Sequence, residues 1–141
     1  MTRILYVEDN DDNVYMLKMR LELLEGFEVL VAGNGETGCA QAIAQQPDVI
    51  LMDLDLPVVD GWEATRRLKA DKRTEHIPVV ALTGHALAGI SEGAKKAGCD
   101  AFVTKPCLPE DLVKEIHKVL DQHAASAKKG RRSGKYAKTI G

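Results

Sequence analysis

The stretch ILMDLDLP, residues 50–57, places two aspartates, Asp53 and Asp55, directly after a run of large apolar residues. A nearly continuous apolar run is typical of a parallel strand that is covered on both faces. In an open α/β sheet, ligands bind beyond the carboxyl ends of such strands. Asp53 and Asp55 could therefore be the nucleophile and the acid/base of a phosphatase, or one could accept a phosphoryl group while the other takes no part.

Apolar runs and amphipathic stretches alternate along the rest of the chain. We predict strands at residues 3–7, 28–32, 48–53, 78–83 and 101–104, and helices at residues 12–25, 35–46, 61–71, 88–97 and 110–123. Gly26, Pro47 and Gly98 mark the ends of three of these helices. Five consecutive strand–helix units predict an α/β fold, with a doubly wound parallel sheet between two layers of helices.

Polar residues stand at four of the predicted strand ends. They are Glu8 and Asp9 after the first strand, Asp53 at the end of the third, Thr83 at the end of the fourth and Lys105 after the fifth. Carboxylates a few ångströms apart repel each other by a few kcal/mol at an effective dielectric constant of about 20. We therefore expect raised pKa values, a bound cation or the lysine to compensate the carboxylates.

The residue types at these strand ends suit phosphoryl chemistry. Oxygen ligands without histidine or cysteine favour Mg²⁺, which also binds phosphate oxygens. A cation and a lysine neutralise charge on the oxygens of a phosphoryl group in transfer, and a threonine hydroxyl can donate a hydrogen bond to one of them. The strand-end residues are therefore equipped to take up a phosphoryl group in a Mg²⁺-dependent reaction.

Composition indicates one soluble domain of an ordinary type. The chain has 141 residues, of which 45% are hydrophobic and 28% are charged. No apolar run approaches the roughly 20 residues of a membrane helix, and no signal peptide precedes the first strand, so we expect a cytoplasmic protein without membrane contact. The three cysteines, Cys39, Cys99 and Cys107, lack the spacing of metal ligands, and we expect reduced thiols.

Charge divides the chain into two regions. The segment beyond Ala124 has six bases and no acid, whereas the first 124 residues hold 13 bases and 21 acids, a net charge of −8. Residues 125–141 also lack hydrophobic periodicity. We therefore predict a domain over residues 1–124 and a basic, disordered tail over residues 125–141. No second folded domain follows, so we expect no direct binding to nucleic acid.

Four motifs together resemble the receiver domain of two-component response regulators. They are VEDN at residues 7–10, LMDLDLPVVDG at 51–61, ALTGHA at 81–86 and VTKP at 103–106. The resemblance covers residues 2–123, and within the family it is to the single-domain receivers. It implies a flavodoxin-like (βα)5 fold with the strand order 2-1-3-4-5.

The resemblance also implies which residues hold the metal and the phosphoryl group. Asp53 would be the phosphoacceptor and a Mg²⁺ ligand, with Glu8 and Asp9 as the acidic pair that serves the metal. Asp55 would contribute its backbone carbonyl to Mg²⁺ and not its carboxylate. On this interpretation Asp53 faces the site and Asp55 belongs to the following loop.

A conformational switch is implied in the same way. Thr83 would be the switch hydroxyl, Phe102 the switch aromatic residue and Lys105 the partner of the phosphate. The bond between Lys105 and Pro106 would be a cis peptide, for which proline has a low cost. The output surface would combine the fourth helix, the fifth strand and the fifth helix.

The implied function is that of a stand-alone response regulator and not of an enzyme. It would accept phosphoryl from a sensor histidine kinase or a histidine phosphotransfer protein, hydrolyse its own aspartyl phosphate and bind a downstream protein target. It would act as a monomer or as a phosphorylation-dependent dimer.

Two other functions remain open at this point. One is a phosphatase of the haloacid-dehalogenase type that uses Asp53 and Asp55, and the other is an interaction module that kept the receiver fold and no longer cycles phosphate. The phosphatase does not explain Glu8 and Asp9, and Pro57 stands where its motif usually has Thr or Val. Glu8 and Asp9 also have a structural interpretation, because either could cap the helix that follows.

Overall fold

The computed structural model describes residues 2–54, 60–84, 90–105 and 108–140, without the side chains of residues 90–92, 94 and 125–140. Strands and helices alternate along these residues. The strands are β1 (Arg3–Val7), β2 (Glu28–Ala32), β3 (Val49–Asp53), β4 (Val79–Thr83) and β5 (Ala101–Thr104). The helices are α1 (Asp11–Glu25), α2 (Gly35–Gln45), α3 (Gly61–Ala70), α4 (Ile90–Ala97) and α5 (Pro109–Ile140).

The strands form one parallel sheet with the order β2-β1-β3-β4-β5. This confirms the predicted fold. The register pairs Val7 with Met52 and Thr83 with Thr104. The polar residues at the strand ends therefore lie at the same edge of the sheet, on the three central strands and one outer strand.

Buried residues form a hydrophobic cluster on each face of the sheet. Along β1, Ile4 and Tyr6 belong to the first cluster, and Leu5 and Val7 belong to the second. This alternation is the two-residue period of a strand. The first cluster takes its helical residues from α1 and α5 (Leu21, Leu112, Ile116), and the second takes them from α2 and α3 (Ala42, Ala64, Leu68).

Side-chain caps begin three of the helices. Asn10, Asn34 and Asp60 each accept a hydrogen bond from the backbone N–H three residues later, at 2.8–3.0 Å, at the starts of α1, α2 and α3. The cap of α1 is therefore Asn10. Neither Glu8 nor Asp9 caps α1, so the interpretation of these two acids as helix caps is wrong.

The last helix is longer than the sequence predicts. α5 continues to Ile140, past the predicted helix end at residue 123 and through a segment predicted to be disordered. Once a helix exists, each added residue contributes a hydrogen bond, and alanine, lysine and arginine favour that extension. The division into a domain and a tail at residue 124 stays a prediction. Despite the length of α5, no helix in the described part of the chain is apolar over a long enough stretch to cross a membrane.

Candidate phosphoryl and metal site

Three carboxylates meet at the carboxyl edge of the sheet. Glu8 and Asp9 follow β1, and Asp53 ends the neighbouring strand β3. One oxygen from each of the three lies within 4.8 Å of the others. Glu8 and Asp53 are 2% and 3% exposed, whereas Asp9 is exposed. Two of the three acids are thus held out of water, where their mutual repulsion is strong.

Lys105 reaches this cluster from the end of β5. Its Nζ lies 3.4 Å from Oδ2 of Asp53 and 3.8 Å from Oε1 of Glu8. The backbone N–H of Lys105 donates to the carbonyl oxygen of Thr83 at 2.6 Å. Thr83 is 1% exposed at the end of β4. The lysine and the threonine are therefore tied together through the main chain on the same side of the site.

The two oxygens of the Glu8 carboxylate have different surroundings. Oε1 accepts a hydrogen bond from Nδ2 of Asn13 at 2.8 Å and is the oxygen closer to Lys105. Oε2 is fully buried and finds no hydrogen-bond donor among the described residues. A buried carboxylate oxygen without a donor is costly, so this atom requires a proton or a cation.

The pKa of Glu8 reflects the same surroundings. It is raised from 4.5 to about 7, in the first place because burial disfavours the charged form. The negative charge of Asp53 raises the pKa of Glu8 further, and so does the hydrogen bond that a protonated Glu8 donates to Asp53. Asn13 and Lys105 act in the opposite direction, because both stabilise the carboxylate.

These residues fit a magnesium ion. The donor set consists of carboxylate oxygens, and Mg²⁺ prefers such oxygens and keeps several waters. The exposed position of Asp9 leaves room for water on one side. Oε2 of Glu8 is buried without a hydrogen-bond donor among the described residues, so a cation beside this carboxylate would stabilise it.

The backbone of Asp53 is in close contact with the start of α3. A Cβ atom at Gly61 would lie 2.1 Å from the carbonyl oxygen of Asp53 and 2.6 Å from Cα of Leu54. Such distances are far shorter than any real contact, so only glycine allows this approach. The sequence suggests a tight turn at Gly61 but gives no sign of its contact with Asp53.

Phe102 lies on β5, two residues before Thr104. It is partly buried and packs, together with Trp62, against the buried Leu54 and Ala81. Beside it, a shallow groove of about 540 Å³ runs between β5 and the first turns of α5, where Leu108 is exposed. Phe102 therefore packs against the core and also lines this groove.

Two predicted features fall outside the described residues. They are the backbone carbonyl of Asp55 and the peptide bond between Lys105 and Pro106.

Among the cysteines, Cys39 and Cys99 are free thiols in half-buried positions, and Cys107 is not described. Burial raises the pKa of the Cys99 thiol to about 11, which makes it unreactive.

Comparisons with known proteins all indicate the same family. A family model described as the response regulator receiver domain matches residues 4–117. The protein PilH of Pseudomonas aeruginosa is 40% identical over 120 residues, which cover 85% of this chain and 98% of PilH. The polar-differentiation response regulator DivK of Brucella anthropi is 36% identical over 117 residues, which cover 83% of this chain and 94% of DivK.

Solved structures share the fold over almost their whole length. A CheY-like response regulator receiver domain protein from Methanospirillum hungatei has a TM-score of 0.82 and 29% identity, and the match covers 89% of this chain and 98% of that one. The receiver domain of the sensor histidine kinase PA1611 from Pseudomonas aeruginosa has a TM-score of 0.79 and 34% identity, with 85% and 98% covered. That structure has a magnesium ion coordinated in the active site cleft.

Proposed function

Because this chain belongs to the response regulator receiver domain family, we propose that it is a stand-alone response regulator that accepts a phosphoryl group on Asp53. Receiver domains are signalling modules that interact with histidine kinases and with downstream targets. The stand-alone form is supported by PilH and DivK, since the chain covers 98% and 94% of their lengths. The donor is a sensor histidine kinase or a histidine phosphotransfer protein.

The observation that carries the proposal is the position of the Asp53 carboxylate. It ends a fully buried strand, lies 3.4 Å from a lysine ammonium and shares its site with two further acids. A carboxylate oxygen of Asp53 attacks the phosphorus of a phosphohistidine, the P–N bond breaks, and the imidazole leaves with its electron pair. Lys105 neutralises charge on the transferred oxygens, and the Thr83 hydroxyl donates a hydrogen bond to one of them.

Receiver domains bind Mg²⁺ at an acidic site, and this chain has the acids for it. Glu8, Asp9 and Asp53 would hold the ion with their carboxylates, and Asp55 would add its backbone carbonyl. The bound ion supplies positive charge to the phosphoryl oxygens during transfer. The same residues position a water for the slow hydrolysis of the aspartyl phosphate, so the protein resets itself without a separate enzymatic activity.

Phosphorylation is read out on the surface formed by α4, β5 and α5. A phosphoryl oxygen on Asp53 offers the Thr83 hydroxyl a new, charged acceptor and draws it toward the site. Phe102 then turns into the space beside β4, which changes the groove next to β5. A downstream protein target, or a second copy of the chain, binds the altered surface. We place this reaction in the cytoplasm, where histidine kinases present their phosphohistidine.

Intact-mass spectrometry tests the acceptor directly. The protein is incubated with Mg²⁺ and a small phosphodonor such as acetyl phosphate, and one phosphoryl adduct should form that is absent in chelator. Asp53→Asn should abolish the adduct, and the matched variant Asp55→Asn should keep it, because only the backbone of Asp55 is assigned a role.

An adduct that survives Asp53→Asn would contradict the assignment. Steady hydrolysis of unrelated phosphate esters, lost in both variants, would instead indicate a phosphatase that uses both aspartates. A folded protein that binds Mg²⁺ and never forms an adduct with any donor would indicate an interaction module.

A further inference from the structure

The first turn of α1 connects the helix cap to the carboxylate site. Asn10 accepts a hydrogen bond from the backbone N–H of Asn13 at 3.0 Å, which fixes the main chain at the third residue of the helix. From this fixed position the Asn13 side chain turns back and donates through Nδ2 to Oε1 of Glu8 at 2.8 Å. In a capping box, the side chain at this helix position reaches back to the backbone of the cap. Here it reaches a buried carboxylate instead.

This hydrogen bond distinguishes the two oxygens of Glu8. Oε1 is occupied by Asn13 and lies 3.8 Å from the Lys105 ammonium. Oε2 is fully buried and has no donor among the described residues. A carboxylate that is free to rotate about its last bond would exchange the two oxygens, whereas one that is held at Oε1 keeps a single orientation.

We propose that Asn13 is a positioning residue that holds Oε1 of Glu8 and thereby fixes the orientation of this carboxylate beside the cation. This inference rests on the proposed function, because the cation is the Mg²⁺ of the phosphoryl transfer. This role gives Asn13 no direct contact with the metal or the phosphoryl group. Hydrogen bonds to the ligands of a metal commonly contribute to its affinity in this way.

An amide suits this role better than a charged donor. A lysine or arginine at residue 13 would neutralise Glu8 and reduce its attraction for a cation. A carboxylate at the same place would repel Glu8 and compete for the ion. The neutral amide donates one hydrogen bond, leaves the net charge of the three acids unchanged and holds the Glu8 carboxylate in place.

Calorimetric titration of the metal-free protein with Mg²⁺ tests the proposal. Asn13→Ala should weaken Mg²⁺ binding by about tenfold or more, the range found when partners of metal ligands are removed. Asn13→Gln, which retains an amide donor, should bind Mg²⁺ more tightly than Asn13→Ala. Thr37→Ala is the matched control, because Thr37 is the third residue of α2 behind the equivalent cap Asn34, and it should bind Mg²⁺ as the unchanged protein does.

The phosphoryl adduct provides a second measurement. Since Asn13 acts only through Glu8 and the cation, Asn13→Ala should recover the full adduct when Mg²⁺ is raised well above its new dissociation constant. Equal Mg²⁺ affinity in Asn13→Ala and the unchanged protein would overturn the inference and leave the proposed function intact, even if the melting temperature falls. Failure of the unchanged protein to bind Mg²⁺ or to form an adduct would overturn the proposed function itself.

Discussion

Glu8 shows how a single buried side chain can make the stability of a domain depend on pH and metal. Its pKa is about 7 in the folded protein, compared with an ordinary value of 4.5. The folded state therefore holds this proton more tightly than the unfolded chain does. The stabilising contribution is fully present below about pH 4.5 and is lost as the pH rises through about 7.

We expect the metal-free protein to become less stable between about pH 5 and pH 8, by roughly 3 kcal/mol in the free energy of unfolding. Urea unfolding in chelator at several pH values measures this change. Glu8→Gln, which cannot ionise, should remove most of the dependence. Asp53→Asn should raise the stability at pH 8, because it removes the like charge next to Glu8.

Saturating Mg²⁺ should reduce the same pH dependence, because the ion stabilises the ionised form of Glu8 in the folded protein only. A stability that is independent of pH in chelator would show that Glu8 is not held in a buried cluster of acids. A dependence unaltered by Mg²⁺ would show that the ion does not bind there.

Among the elements, β4 and β5 are connected in a way that links the site to the surface. Thr83 and Thr104 are register partners, and the main chain of Lys105 donates to the carbonyl oxygen of Thr83. Phe102 is two residues further back on β5 and is only partly buried. A change at Thr83 therefore has a short path through one strand pair to the groove beside α5.

Thr83→Ala should still accept phosphoryl on Asp53 but lose most of the phosphorylation-dependent change at the surface. In NMR spectra, addition of beryllofluoride and Mg²⁺ should shift resonances through residues 84–108 in the unchanged protein and only around Asp53 in Thr83→Ala. Thr83→Ser keeps the hydroxyl and should retain the wide pattern. Shifts that reach α1 and leave β5 unaffected would show that the output lies elsewhere.

The helices, the strands and the main site could be predicted from the sequence because they depend on local sequence patterns. Apolar runs predict the strands, and parallel strands bring their ends to one edge, which places Glu8, Asp53 and Thr83 together. Asn13 was not predictable, because an asparagine in the first turn of a helix is common at surfaces. Its contact with Glu8 depends on the direction of its side chain in the folded structure.

The caps and the last helix show the same limit. Glu8, Asp9 and Asn10 are adjacent and all have side chains that can cap a helix, so composition alone does not select Asn10. In the tail, charge and low hydrophobicity predict disorder, whereas the backbone continues as a helix to Ile140. Helix propagation from a packed first half competes there with the low hydrophobicity of the segment.

The whole molecule combines an acidic domain with a basic extension. Among the side chains that the structure describes, the residues of α5 that pack in the core include Leu112, Ile116 and Val119, which precede Ala124. The segment that follows Ala124 carries six basic residues and no acid. The charge of the extension is therefore opposite to that of the domain.

Truncation after Ala124 should leave both the melting temperature and phosphorylation of Asp53 nearly unchanged. Truncation after Lys118 is the control, and it should destabilise the protein by a few kcal/mol because it removes Val119 from the core. If the shorter deletion already unfolds the protein, the domain boundary at residue 124 is wrong. An effect limited to partner binding, and weakened by salt, would identify the extension as an electrostatic contact.

The contact between Gly61 and the main chain of Asp53 limits how this protein can diverge. At Gly33, by contrast, a Cβ atom would meet nothing within 4 Å. Descendants of this sequence can therefore exchange Gly33 freely, while position 61 admits no side chain as long as α3 begins where it does. Sequence change between Asp53 and Gly61 must therefore leave Gly61 itself in place.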